Sequence, residues 1–498
     1  MNKFTNVVCH LSYVIIIVLN TAHIKAQGWN VGSGGNSSRN CLSAVANGPT
    51  EAEILWQKQA VSVFHQQTVI DGDIVVTCPI IDINDVLHGT LIVARDLNTG
   101  DTLWTKDLPV VSPDTEWRNR VSSFKNGVIY ATRSDNYNYP SYMYAIDAAD
   151  GSTLWQSEDL IEECGSESCA FTDNGNLIIG NLFDITCINA TNGETIWQTP
   201  RSQPCPTSNG QEVSVYGNRG YYWIADGNGP KISVINLDNG QNLYSSESVS
   251  AGLVQQLCLF IGTDGTIYAP RSQWNPSTDF IVAYVDNGAS LTEKWRVPIG
   301  FIPFSTSGEG PDGSIYTYTS SGELIRLNPA NGAILNTSIP FLFENINSPR
   351  MAIDKAGQIF VTNGGVNGAV YSFNPDLTLR WSANVGVLNH SGPALADNGT
   401  LIISSSTHVF AYRGSGSTDI ENISFKEYSI FPNPAINYLF ISGLNENANV
   451  AIFDLTSKLI YNNIVIDNHI DVSNFQNGSY IMKIETSSGI ITKKFVKQ

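Results

Sequence analysis

Short stretches that alternate apolar and polar residues fill most of the chain, and turns rich in Asp, Asn and Gly separate them. Residues 96–104, Asp-Leu-Asn-Thr-Gly-Asp-Thr-Leu-Trp, are typical of the pattern. A strand ends in an Asp/Asn turn, a Gly permits positive φ, and the next strand carries a Trp. The Trp or its replacement recurs 41 to 51 residues apart, at Trp104, Trp155, Trp197, Tyr244, Trp295, Asn336 and Trp381.

A β-patterned repeat of about this length predicts a propeller in which each repeat forms one four-stranded blade. The second strand of each repeat is expected to begin at Gly72, Gly127, Gly175, Gly220, Gly265, Gly313, Gly357 and Gly399. The chain contains eight copies of the first three strands of a blade but only seven copies of the fourth strand that follows them. Residues 54–57 resemble an eighth fourth strand, so the N-terminus is expected to complete the last blade beside residues 409–412. The Trp series is then structural, wedged between blades.

Charge and hydropathy restrict the partners and the cellular location that the sequence predicts. The 498-residue chain has a net charge of −18, and about −20 of it lies between residues 27 and 424. Such a surface repels phosphate backbones, so no nucleic acid partner is expected. Residues 1–26 have the charged start, apolar run and small residues of a signal peptide. No transmembrane segment is expected elsewhere, so the chain is predicted to be secreted.

The Cys, His and acidic residues give few indications of a metal site or of reactive thiols. Seven Cys follow Ala26, and Cys164 and Cys169, which would close a short loop, are the expected disulfide pair. No CxxC zinc spacing occurs. His65 and His390 would lie near neighbouring inner strands, either sharing a metal or lining a channel, and the second is favoured. Residues 82–85 and 226–229 are oxygen-rich, but turn chemistry explains them better than calcium.

Residues 52–413 resemble the pyrroloquinoline-quinone-like repeat. The shared pattern is an apolar strand, Asp-Gly, a second apolar strand, Tyr-Ala-Ile/Leu-Asp, a turn with Gly, and Leu-Trp. Residues 27–51 resemble the lead-in segment of secreted members. The resemblance implies an all-β, eight-bladed propeller, in either a quinone-dependent dehydrogenase or a non-enzymatic scaffold. The dehydrogenases would need a quinone, Ca²⁺ and an Asp base, and many have a disulfide between adjacent Cys, which this chain lacks.

Residues 414–424 read as a flexible linker, and residues 425–498 as a small β-sandwich of immunoglobulin-like type. This module combines Tyr-x-x-x-Pro-Asn-Pro, Phe-Asp, Phe-x-x-Gly-x-Tyr-x-x-Lys-Ile and a basic last strand. It resembles the C-terminal sorting domain of the type IX secretion system. That resemblance implies interaction with the type IX machinery of a Bacteroidota-type cell, and release from or attachment to its surface.

The longest connections are expected on one face of the ring, where the second strand joins the third and the fourth joins the next blade. They carry aromatic rings, Arg and amides, which suit a peptide or glycan. The candidate ligand-binding residues are Trp117, Arg118, Arg133, Tyr137, Tyr139, Arg271 and Trp274. The alternative is that these side chains only pack their own loops.

These features favour a secreted, non-enzymatic binding or scaffold propeller with a glycan or surface protein as partner. No catalytic residue, metal site or cofactor is expected. A quinone-dependent dehydrogenase, a glycan-active enzyme and a purely structural surface protein stay open as alternatives, because a fold alone does not carry a function.

Overall fold

A computed structural model describes residues 28–60, 64–65, 68–114, 116–134, 140–161, 169–181, 183–203, 212–248, 251–254, 259–342, 349–388, 391–414, 429–442, 448–455, 458–465, 469–486 and 489–498. The predicted signal peptide lies outside these residues. The chain forms two compact units, Met1–Gly416 and Ser417–Gln498. Within the described residues every regular element is a β-strand, which agrees with the all-β prediction.

The strands of the first unit run in chain order as β1 (Ile54–Gln59), β2 (Phe64–His65), β3 (Val69–Asp71), β4 (Ile74–Thr77), β5 (Pro79–Ile80), β6 (Ile92–Asp96), β7 (Thr102–Lys106), β8 (Arg120–Lys125), β9 (Val128–Thr132), β10 (Met143–Asp147), β11 (Thr153–Gln156), β12 (Cys169–Phe171), β13 (Leu177–Gly180), β14 (Asp184–Ile188), β15 (Thr195–Pro200), β16 (Ser214–Tyr216) and β17 (Arg219–Asp226). They continue as β18 (Gly229–Asn236), β19 (Asn242–Ser245), β20 (Phe260–Ile261), β21 (Ile267–Trp274), β22 (Ser277–Asp286), β23 (Leu291–Pro298), β24 (Gly308–Glu309), β25 (Ile315–Tyr318), β26 (Leu324–Leu327), β27 (Ile334–Thr337), β28 (Arg350–Ile353), β29 (Ile359–Thr362), β30 (Ala369–Phe373), β31 (Leu379–Asn384), β32 (Ala394–Leu395), β33 (Leu401–Ser404) and β34 (His408–Tyr412).

These strands form eight four-stranded antiparallel sheets among the described residues of this unit, plus the short pair β2–β5. Sheet 1 is β3-β4-β6-β7, and sheets 2 to 7 are consecutive quartets from β8–β11 to β28–β31. Sheet 8 is β32-β33-β34-β1. The first strands contact one another from sheet 1 to sheet 5 and between sheets 6 and 7, and β3 of sheet 1 contacts β32 of sheet 8. Sheets 5 and 6 are joined by the bond from Trp295 to Pro329 O, and sheets 7 and 8 share one hydrophobic core. The inner strands therefore surround one axis.

Sheet 8 is completed by the start of the chain. Strand β1 pairs antiparallel with β34, with Ile54 opposite Tyr412 and Trp56 opposite Ala411. This is the pairing that the count of fourth strands predicts. It covers the exposed edge of β34, which would otherwise offer unpaired N–H and C=O groups to another chain.

The Trp residues at the repeat position of sheets 1, 2, 3, 5 and 8 each bond their sheet to the next one, whereas Trp381 of sheet 7 donates to Pro49 O of the lead-in segment at 3.4 Å. The indole Nε1 of Trp56 in sheet 8 donates to Leu97 O of sheet 1 at 2.7 Å, and Trp104 of sheet 1 donates to Ala148 O of sheet 2 at 2.8 Å. The same bond to the next turn is made by Trp155, Trp197 and Trp295. A Cβ on Gly100 would lie 2.5 Å from the Trp56 ring, so only Gly fits this close approach. The structural assignment of the Trp series is confirmed.

A network of polar side chains replaces the indole bond between sheets 4 and 5. Tyr244 occupies the Trp position, and its hydroxyl donates to Asp286 Oδ1 at 2.5 Å. Asp286 also accepts bonds from Arg219 at 2.6 Å and Tyr221 at 2.8 Å. Burial opposes ionisation of this carboxyl, but the bonds from these three side chains outweigh it and lower its pKa. The charged form of Asp286 is therefore favoured by folding.

The lead-in segment, residues 28–49, contacts all eight sheets. Its backbone or side chains hydrogen-bond the last residues of the inner strands, or the turn that follows them. The partners in sheets 1 to 8 are Ile70, Phe124, Phe171, Val215, Ile261, Glu309, Ile353 and Asp397. The segment thus spans the axis at the end of the sheets that carries the first-to-second strand turns, which we name the turn face. The sequence indicated a lead-in but not this arrangement.

Several sequence-based expectations need correction or stay untested. The tight turn of sheet 4 uses Gly217, at φ 56°, whereas the predicted Gly220 lies inside β17. Cys164 lies outside the described residues, so its pairing with Cys169 stays a prediction. Cys41 and Cys78 are buried thiols, and burial raises the pKa of each to about 12. Such thiols are inert rather than reactive.

The second unit contains two antiparallel sheets around one core. Its strands are β35 (Ser429–Phe431), β36 (Tyr438–Ser442), β37 (Ala448–Asp454), β38 (Leu459–Val465), β39 (His469–Asp471), β40 (Gly478–Thr486) and β41 (Gly489–Lys497). One sheet is β35-β36-β39 and the other β38-β37-β40-β41. Leu439 and Ile470 of the first pack with Val450, Met482 and Phe495 of the second. The predicted small sandwich is therefore observed.

Replacing Trp56 tests the bond between sheets 8 and 1. Trp56 is buried and Ile54 on the same strand is 46% exposed, so these two positions form a matched pair. We expect Trp56→Ala to lower the free energy of unfolding by about 3–5 kcal/mol, because it leaves a cavity and an unpaired carbonyl. Trp56→Phe should cost about 1 kcal/mol, and Ile54→Ala less than about 1 kcal/mol. Denaturant unfolding followed by Trp fluorescence measures the difference. Equal losses for the two Ala variants would contradict the role of the indole.

Replacing Asp286 tests the polar network. At pH 7, Asp286→Asn should lower the free energy of unfolding by about 1–3 kcal/mol, since two hydroxyls and a guanidinium lose a charged acceptor. A carboxyl whose folded pKa is lowered stabilises the fold above its unfolded pKa, and loses this effect as the pH falls through the folded value. The difference from the wild type should therefore shrink below about pH 4. Melting temperatures between pH 3 and pH 8 measure it, with the exposed Asp114→Asn as control. A pH-independent difference would contradict the charge-based explanation.

Candidate functional site

Sheet topology separates the connections into two faces. In an antiparallel quartet the second-to-third and fourth-to-first connections leave the sheet at the same end, which we name the loop face. The second-to-third connections of sheets 1 to 8 are 78–91, 133–142, 181–183, 227–228, 275–276, 319–323, 363–368 and 405–407. Within the described residues, the turn face carries short turns and the lead-in segment. The long connections are therefore grouped as the sequence predicts.

Large apolar side chains are exposed at the tips of four of these connections. They belong to Ile83 of sheet 1, Phe183 of sheet 3, Trp274 of sheet 5 and Val366 of sheet 7. Phe183 is 57% exposed, and Trp274 and Val366 are each 62% exposed. These groups lie on alternate sheets but on the same face, so each is available for contact with a partner that covers this face.

Trp274 is held by a long hairpin instead of lying in one of the long connections that the sequence predicts. Strands β21 and β22 stay paired up to Trp274 opposite Ser277. The preceding connection lies along the hairpin, where Trp274 N donates to Ala251 O and Ser272 N to Leu253 O, both at 2.9 Å. A ring presented on paired strands loses little conformational entropy on binding, which favours a role in recognition.

Arg133 lies inside the fold, not on the predicted ligand-binding face. Its side chain is fully buried. Nε donates to Leu108 O at 2.9 Å, Nη1 to Trp117 O at 3.1 Å, and Nη2 to Asp107. Burial lowers the pKa of this Arg, opposed by the charge of Asp107. These bonds tie the connections of sheets 1 and 2 together, so Arg133 organises the face and offers no free donor to a ligand.

The remaining predicted residues have different environments. Arg118 stacks on the Trp117 ring, with the guanidinium carbon 5.0 Å from the ring centroid, and donates to Ile83 O. Arg271 is fully buried, lies 5.4 Å from the Phe280 centroid, and has a pKa lowered by burial to about 10. Tyr137 and Tyr139 lie outside the described residues. Of the described candidates, Trp274 is strongly exposed, whereas Arg118, Arg133 and Arg271 are buried.

The oxygen-rich loops are turns. Asp82 accepts a bond from Asn84 N and Asp85 one from His88 N, both at 2.9 Å. Asp226 accepts a bond from Asn228 N at 2.8 Å and pairs with Lys231 at 2.6 Å. No cluster of three or more metal-ligating side chains occurs within the part of the chain that the structure describes. His390 and the side chain of His65 lie outside it, so the two-histidine alternative stays untested.

Comparison with known families identifies both units. The family model PQQ_2, described as outer membrane protein assembly factor BamB, matches residues 43–338. The chain belongs to this family. The family model described as secretion system C-terminal sorting domain matches residues 429–498. The sorting domain marks the protein for type IX secretion to the cell surface or the extracellular space. No helix among the described residues is long and apolar enough to span a bilayer.

Solved structures agree on a β-propeller fold for the PQQ_2 unit. BamB from Moraxella catarrhalis is 15% identical, with a TM-score of 0.51 over 72% of this chain and 99% of that one. The quinohemoprotein alcohol dehydrogenase from Comamonas testosteroni is 11% identical, with a TM-score of 0.54 over 82% and 83%. A search of curated proteins finds no match. At such low identity these similarities concern the fold alone.

Proposed function

We propose that this protein is a secreted, non-enzymatic β-propeller of eight blades whose loop face binds another protein at the cell surface. Its immunoglobulin-like tail directs it to the type IX machinery. The observation that carries the proposal is the set of exposed apolar side chains at Ile83, Phe183, Trp274 and Val366. Exposed aliphatic and aromatic groups suit the apolar centre of a protein interface better than a glycan, which needs mainly hydroxyl-matching polar groups.

The framework behind these side chains favours a rigid binding surface. Arg133 and the hairpin of Trp274 fix the connections by internal hydrogen bonds, so little ordering is required on binding. The strong negative charge of the first unit favours a partner whose surface is basic around its apolar centre. A dehydrogenase and a scaffold protein both have this fold, so the fold does not decide between them.

Removing the exposed apolar groups tests the proposed interface. We expect the triple variant Phe183→Ser, Trp274→Ser, Val366→Ser to lose its surface partner, while its melting temperature stays close to the wild-type value. The matched control removes three similarly exposed side chains from fourth strands, Leu103→Ser, Leu154→Ser and Ile196→Ser. A photo-crosslinking amino acid at position 274 or 149, in living cells, identifies the contact. Equal crosslinking from position 149, on the turn face, would contradict the assignment.

Removing the tail tests export. Deleting residues 429–498 should leave the first unit in the periplasm, because the sorting domain that the machinery recognises is missing. The full-length triple variant of the loop face should still reach the surface, since it keeps that domain. Cell fractionation and surface proteolysis distinguish the two locations. Surface delivery of the truncated chain would contradict the role of the tail.

A further inference from the structure

A cavity lies on the turn face, opposite the protein interface proposed on the loop face. Its volume is about 680 Å³, within the range of roughly 300–1,000 Å³ usual for small-molecule sites. The lead-in segment forms one wall, and the inner strands of sheets 2 to 5, with the turns that follow them, form the others. The cavity therefore exists because the lead-in crosses the axis without filling it.

The lining of this cavity combines apolar side chains, among them Leu42, Val45 and Phe171, with polar ones, and it is close to neutral. The amides of Asn36 and Asn40 and the hydroxyls of Ser37, Ser38 and Thr263 line it, together with the Tyr216 ring, which is 40% exposed. One cationic and one anionic side chain, Lys125 and Asp173, complete the wall. Amides and hydroxyls beside an exposed ring suit a hydroxyl-rich ligand that stacks an apolar sugar face on the aromatic ring.

The polar wall is held in place from behind. The buried carboxylate of Glu309 accepts bonds from Asn40 Nδ2 at 3.3 Å and from the backbone N of Thr263 at 2.7 Å. Asn40 Oδ1 in turn accepts a bond from Asn36 Nδ2 at 2.7 Å. The residues beside Asn40, Arg39 and Cys41, have φ of 58° and 62°, a conformation that is costly for non-glycine residues. Such strain at a fixed polar group is typical of a binding site.

We infer that this turn-face cavity is a binding site for a neutral saccharide of one or two units. Thr172, Asp173 and Gly217 also line a neighbouring pocket of about 270 Å³ between sheets 3 and 4, which gives room for a second sugar ring. An acidic saccharide is disfavoured because the first unit carries strong negative charge. The site does not depend on the protein interface proposed above, since it uses other residues on the other face.

The test fills the cavity instead of cutting contacts. Ala44 lines the cavity and is exposed, so Ala44→Trp occupies the space without removing a side-chain hydrogen bond. Ala149→Trp places the same ring on an exposed turn of the same face, outside the cavity. The probes are glucose, galactose, mannose, N-acetylglucosamine and their β1,4-linked disaccharides, followed by saturation-transfer NMR with the protein in its mature form. Glucuronic acid is the charged comparison.

We expect saturation of at least one neutral disaccharide by the wild type and by Ala149→Trp, and its loss in Ala44→Trp. Tyr216→Ala should weaken binding by about tenfold or more, whereas Tyr216→Phe, which keeps the ring, should bind within a few-fold. Affinity should change little between about 0.05 M and 0.5 M NaCl, since the ligand is neutral. Melting temperatures show whether each variant is folded. If Ala44→Trp is misfolded, Tyr216→Ala serves as the test of the cavity in its place.

The inference would be overturned if the wild type binds none of the neutral saccharides, or if a folded Ala44→Trp variant still binds one. It would also be overturned if glucuronic acid binds more tightly than the neutral sugars. Binding that is lost only in the Phe183, Trp274 and Val366 variant would also overturn it, and would place the saccharide on the loop face. Loss of the protein partner alone leaves this inference intact, so the two proposals fail separately.

Discussion

The antiparallel pairing of β1 with β34 is the constraint on which the first unit depends. It joins residues separated by some 350 positions, because Trp56 lies opposite Ala411. The chain between these two strands contains all the other sheets. The entropic cost of closing so long a loop is therefore offset only when those sheets have formed. The indole of Trp56 then bonds sheet 1, and the lead-in just before β1 bonds the inner strands of the whole ring. Closure and cooperativity therefore have a common origin at the N-terminus.

The sequence predicts this framework well because its signals are local and repeated. A Trp or its Tyr or Asn replacement recurs seven times, in five cases four residues after a turn Gly, so the period and the incomplete last repeat can be counted directly. Errors occur where two signals of the same kind compete. In sheet 4 Gly217 follows Tyr216 and Gly220 follows Arg219, so neither has the Asp or Asn that precedes the turn Gly in most repeats. Only the pairing of Tyr216 with Arg219 selects Gly217 as the turn.

The functional surface is less predictable because residue type does not determine exposure. Arg133 and Arg271 were expected to face a ligand because they lie in predicted connections of the loop face, yet both are fully buried and hold loops or rings together. Phe183 and Val366, which the sequence does not single out, are exposed at loop tips. Only the length of the hairpins and the position of each tip distinguish these cases.

The lead-in segment gives the two faces different chemistry. By taking the backbone groups at the turn-face ends of the inner strands, it covers the axis there with amides and hydroxyls. On the loop face, the described connections carry exposed apolar side chains on sheets 1, 3, 5 and 7, and buried Arg133 ties the connections of sheets 1 and 2 together. Without the lead-in segment, a ring of nearly identical sheets would have similar chemistry on its turn face and its loop face. The asymmetry comes from about twenty residues at one terminus, and it makes a protein interface and a small polar site compatible in one closed fold.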